Sequence, residues 1–159
     1  MPSYFTQARD VELSLLYYLD TSLTADWSGT TVVKTFKSAY AKDVNLPIVC
    51  VRLASTDTTY REVGATTLDN RYLLIVDMFT KSDGMRLDMS YYIKDKLKDG
   101  WVHYEHSHPS GSNTTLDRSA NGRDQVSVWL TDTRVDPGDN ADVKDLYRHS
   151  ISVQVRKSS

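Results

Sequence analysis

The sequence predicts an α+β fold in which one mixed or antiparallel sheet is flanked by two main helices within a single domain, residues 1–159. Three observations carry this. An apolar run, Ile48-Val49-Cys50-Val51, follows Pro47; residues 71–79 (Arg-Tyr-Leu-Leu-Ile-Val-Asp-Met-Phe) are apolar on both faces for most of their length; and an amphipathic helix follows at once. Segments apolar on both faces read as strands covered from both sides, which makes 71–79 the middle of the sheet. A chain of 159 residues is the size of one domain and buries roughly two-thirds of its unfolded surface without a disulfide or metal staple.

Composition narrows the function classes. Lys and Arg number 19 against 21 Asp and Glu, a formal charge of -2, so no global field draws the chain to nucleic acid or an acidic membrane. Its one cysteine, Cys50, lies in the most apolar stretch, as a buried thiol in a reducing compartment would. No basic segment followed by an apolar one opens the chain, and no stretch approaches the length of a membrane span, so a soluble cytosolic chain is expected.

The first helix is expected from Thr6 or Asp10 to Leu23. Val11, Leu15, Leu19 and Leu23 recur every fourth residue, and Asp10 and Glu12 suit the positive end of the helix dipole. Leu13 and Tyr17 form a second apolar stripe on roughly the opposite side, which calls for cover from the same chain or from a neighbouring subunit. Residues 30–36 read as a strand, and 38–44 as a helical turn or a loop. A strand is expected over 47–54, a turn at Ser55-Thr56-Asp57-Thr58, a strand over 59–63 and a further turn over 64–70. Ser82-Asp83-Gly84 starts the second helix, which places Met85, Met89, Tyr92, Ile93 and Leu97 on one face and ends at Gly100. Leu87 and Tyr91 lie off that face. Beyond it come a short strand over 101–106, a polar loop over 107–124, a strand around Val126, Val128 and Leu130, a turn at Asp136-Pro137-Gly138-Asp139-Asn140 and a closing strand through Ile151, Val153 and Val155.

One cluster invites chemistry. His103, Glu105, His106 and His108 fall within six residues and define a candidate metal-assisted hydrolase. Against it, the spacing matches no zinc pattern, and His103 and His106 point to opposite faces of a strand. His149 has no partner at the level of sequence. A G-x-S-x-G elbow, a P-loop and a G-x-G-x-x-G turn are all absent. Asp139 and Asp142 read as solvated turn residues, and Arg118, Arg123, Arg148, Arg156 and Lys157 are interleaved with acids, without an aromatic stacking platform for nucleic acid. No catalytic residue, cofactor or metal is expected.

The order of a leading helix, a strand entering through Leu46-Pro47-Ile48-Val49-Cys50-Val51, a hairpin, the long strand 71–79, the helix 83–99 and closing strands ending in Arg148-His149-Ser150-Ile151-Ser152-Val153-Gln154-Val155 resembles the tail terminator proteins of long-tailed bacteriophages. The resemblance covers most of the chain and rests on order, size and strand texture. It implies a virion protein of the phage tail or neck, assembled in the host cytoplasm. The protomers form a homo-oligomer, a hexameric ring that caps the tail tube, stops its polymerisation and joins the tail to the head connector or stopper protein. DNA passes through the lumen without specific binding, for which a near-neutral chain is no obstacle. A head-completion or stopper protein at another neck position is the alternative within the same setting, and the histidine hydrolase the alternative outside it. A ring of identical subunits joins one patch to a different patch next door. Leu13 with Tyr17, and Leu87 with Tyr91, are the expected interface residues, and ten tyrosines suit amphipathic contact surfaces.

Overall fold

A computed structural model describes the chain except at Met1, Pro2, Phe5, Ala65, Ser110, Asn113, Asn140, Ala141 and Ser159 and the side chains of Ser3 and Tyr4. Ala65 of the expected turn 64–70, Ser110 and Asn113 of the expected loop, and Asn140 of the expected turn at 136–140 thus lie outside the described residues. The elements run β1 (Ser3–Tyr4), α1 (Gln7–Asp26), β2 (Thr31–Val33), α2 (Phe36–Ala39), β3 (Ile48–Tyr60), β4 (Leu68–Phe79), α3 (Asp83–Leu97), β5 (Trp101–His108), β6 (Asp117–Arg134), a 3-10 turn (Val143–Asp145) and β7 (Arg148–Ser158). One sheet holds all seven strands in the order β1-β5-β6-β7-β4-β3-β2. Only the β2–β3 pair is parallel, so the sheet is mixed and the α+β class holds.

Both main helices form where their periodicity puts them. Thr6 caps α1 by accepting the Arg9 N–H, and Ser82 caps α3 by accepting the Met85 N–H. Val11, Leu15, Leu19 and Leu23 of α1 and Met89, Ile93 and Leu97 of α3 pack on Val49, Val51, Leu74, Val76, Met78, Ile151, Val153 and Val155, which share one face of the sheet. Leaving water contributes about 1.5–3 kcal/mol for each such side chain. Polar stitches fix the helices to each other: Tyr18 donates to the Lys96 carbonyl, and Tyr92 to the Ser22 carbonyl and the Asp26 carboxylate.

Among the described residues, the opposite face is covered only at one end. Ala39, Ile48, Cys50 and Phe79 form a second small core with Phe36, Tyr40, Val44 and Leu46. Around it Asp77, 1 % exposed, pairs with Arg52 at 3.5 Å and Arg148 at 3.1 Å, and both guanidiniums lie over the Phe36 ring. Lys144 closes the end by donating to the carbonyls of Ala39, Ala41 and Val44 at 2.7–2.9 Å. Burial, with Asp77 nearby, pushes the Cys50 thiol up to about 11, so it is an inert apolar filler.

Two expected breaks are strands instead. Ser55-Thr56-Asp57-Thr58 is no turn but part of β3, which passes a bulge between Leu53 and Ser55 and stays paired with β4 out to Tyr60–Leu68. Threonine suits a pleated ribbon, and Glu12 of α1 accepts the Leu53 N–H at 2.8 Å beside the bulge. Of the polar loop expected over 107–124, 107 and 108 belong to β5, and 117–124 pairs with β5 as the start of an 18-residue strand. One extra β6 residue opposite His103 makes a bulge there, with Gly122 at φ 85. The strand expected over 30–36 is Thr31–Val33, and the 38–44 region is met by the single turn of α2 and the loop after it.

Gly100 turns the chain from α3 into β5 at φ 72, and a Cβ there would lie 2.6 Å from the Asp124 carbonyl oxygen. Gly29, at φ 88, has no atom within 4 Å of the same position. Gly100→Ala is therefore expected to lower stability by roughly 1–3 kcal/mol, and by clearly more than Gly29→Ala, as read by urea unfolding of the two variants side by side.

Candidate functional site

The histidine cluster separates into unrelated partnerships. His103 Nδ1 lies 3.0 Å from both carboxylate oxygens of Asp124, with both residues buried. Burial pushes the Asp124 carboxyl up, against His103, which draws it down. His106 is tied to α1: Asp10 Oδ1 accepts its backbone N–H at 3.0 Å and lies 3.1 Å from its Nδ1. Burial lowers the His106 pKa, outweighing the opposite pull of Asp10. His108 Nδ1 faces the Thr115 carbonyl across the hairpin, and Glu105 accepts from Asn121. The expected cluster does not converge, and among the described residues no three His, Cys, Asp or Glu side chains gather as metal ligands.

His149 has the partners its sequence context lacks. Arg86 Nη1, which can only donate, is 2.7 Å from its Nδ1, and its Nε2 is 2.5 Å from Asp132. That assigns the ring proton to Nε2. Asp83 holds the Arg86 Nε at 2.9 Å, and Lys94 reaches Asp132 at 2.6 Å. Burial would raise Asp132, but Lys94 and His149 prevail and hold its carboxyl below the usual range. This chain of donors and acceptors clamps α3 onto β6 and β7. Each of the three histidines His103, His106 and His149 holds an aspartate, and the contacts tie β5 to β6, β5 to α1 and β7 to β6.

What the surface offers is apolar and unshielded. The Leu13–Tyr17 stripe is covered in part by the same chain: Leu13 is half-buried, while Tyr17 stays exposed with the Tyr104 ring edge-on to it at 5.5 Å and the Arg118 guanidinium 4.0 Å from its ring centre. Leu87 and Tyr91 of α3 are 52 % and 71 % exposed. Tyr91 joins Trp129 of β6 in a shallow groove of about 300 Å³ rimmed by Lys94, Asp95 and Lys98. Sequence reasoning missed Trp129. It placed a hairpin over 54–71 but broke it at 55–58, where the strands run on to a tip that presents Tyr60, Val63 and Leu68 to solvent.

No family model matches this chain, and no curated protein matches it in sequence. No helix among the described residues is long and apolar enough to cross a membrane.

Because folded His106 releases its proton more readily than the ordinary value of 6.5, the unfolded chain binds more protons in the window below that value. Stability contributed by the neutral ring is present above that window and is lost as pH falls through it. Wild-type protein should lose melting temperature between pH 7 and pH 5, and His106→Phe should lose less over the same interval. Parallel slopes in a pH series of thermal melts would remove His106 from the account.

Proposed function

We propose that this protein is a structural component of a bacteriophage neck: a tail-terminator-like ring subunit that caps the tail tube, ends its polymerisation and presents a surface to the head connector. One observation carries the reading beyond the resemblance in element order. The buried ionisable side chains go to internal ties, while strand ends, α3 edge and hairpin tip leave large apolar side chains in water. That division of labour suits an assembly subunit. The sheet face turned away from α1 and α3 adds Leu73, Ile75 and Gln154, only half-buried, and so leaves further surface for neighbours. A formal charge of -2 lets DNA pass without being held.

The hydrolase alternative needs His103, His106 and His108 to converge with Glu105, and each is engaged elsewhere. The terminator reading is tested with polymerising tail tube protein. Added in stoichiometric amounts, the protein should stop elongation and appear by electron microscopy at one end of each tube. Tubes that elongate unchecked with bare ends would sink it.

A further inference from the structure

The hairpin 54–71 outruns the rest of the sheet. β2 pairs with β3 only over residues 48–50, and β7 pairs with β4 only from Tyr72 on, so beyond these limits the two strands form a free-standing ribbon. An isolated two-stranded ribbon is marginal in water. Its two faces differ in chemistry. Register places Ser55, Asp57, Thr59, Asp69 and Arg71 on one side, where Asp69 pairs with Arg156 at 2.8 Å. The other side carries Thr56, Thr58, Tyr60, Leu68 and Asn70 and bears no charge. Tyr60 and Leu68 are opposite one another and 69 % and 53 % exposed.

A complementary surface lies at β6. β5 pairs with β6 only as far as Asp124, and no strand among the described residues covers the outer edge of β6 from there to Arg134. Natural sheets blunt such edges with Lys, Pro or bulges. The stretch 126–133 (Val-Ser-Val-Trp-Leu-Thr-Asp-Thr) has no Lys or Pro, bends at register shifts between Val126 and Val128 and between Trp129 and Thr131, and exposes Val128, Trp129 and Leu130 at 42–47 %.

We propose that the 54–71 hairpin of one copy docks along the open β6 edge of the next copy, seating Tyr60 and Leu68 against Trp129 and Tyr91. The occupant is a second copy of this chain for three reasons. The sheet order places β7 and β4 between β6 and β3, so a chain's own hairpin cannot reach its own edge, and the contact is head-to-tail. Charge is matched: the hairpin's uncharged face meets an apolar edge, while the adjacent Arg61 and Glu62 at its tip meet the mixed rim of Lys94, Asp95 and Lys98. The size also fits, since an 18-residue hairpin exposed along its outer part approaches the 20–30 residues, about 800 Å² per partner, of a stable interface. This contact rests on the ring reading above and specifies which surfaces build the ring.

The test uses two variants, Tyr60→Asp/Leu68→Asp in the hairpin and Tyr91→Asp/Trp129→Asp at the edge, with wild type alongside in native mass spectrometry. Wild type should form a multi-subunit species and each variant alone a folded monomer. Mixed one to one, the variants should give a two-chain species and nothing larger, because one intact hairpin meets one intact edge. Variants that assemble like wild type, or a mixture that stays monomeric, would overturn the contact while leaving the ring reading standing. A monomeric wild type would overturn both. Should a variant fail to fold, Leu68→Cys and Trp129→Cys chains mixed with a short bismaleimide decide the matter: a cross-linked heterodimer supports the contact, and its absence rejects it.

Discussion

A mismatch of lengths governs this molecule. A helix advances about 1.5 Å per residue and a strand about 3.3 Å. The 20 residues of α1 therefore span about 30 Å and the 15 of α3 about 22 Å, whereas the 18 residues of β6 reach about 60 Å. Two helices of this size cannot roof strands of that length. The core forms where they overlap, under Val11 to Leu23 and Met89 to Leu97, and everything the strands extend beyond it stands in water. The hairpin and the β6 edge both follow from that arithmetic.

Within the overlap, apolar packing alone would leave the helices free to slide. The polar ties remove that freedom. Asp10 with His106 and Ser14 with the Tyr104 backbone set α1 against β5, while Arg86, His149, Asp132 and Lys94 set α3 against β7 and β6. Each buried carboxylate has a donor at hand, so these groups specify a position while avoiding the cost of an unpaired buried charge.

The helices were legible in the sequence because their apolar residues recur at the helical period and their caps stand at the right places. The central strand was legible because it is apolar on both faces. The unbroken length of the hairpin was not, since Ser55 to Thr59 carry no apolar alternation and share their residue types with turns; only their β-branched content pointed to a strand. The start of β6 was hidden in the same way by Ser119, Asn121 and Gly122. The histidine partners lay beyond local reasoning: Asp10 is 96 residues from His106. Leu87 and Tyr91 could be named as off-face residues, but Trp129 could not be joined to them, because two register shifts in β6 break the alternation that would have assigned its side.

The inert Cys50 makes the chain its own blank for thiol chemistry. Its sulfur is buried and its proton tightly held, so a maleimide or alkylating reagent at neutral pH has nothing to react with until the small core of Phe36, Tyr40, Val44 and Leu46 lifts from the sheet. A reporter cysteine placed on the surface reacts ahead of it, and in the unaltered protein the rate of alkylation becomes a clock for the opening of that small core.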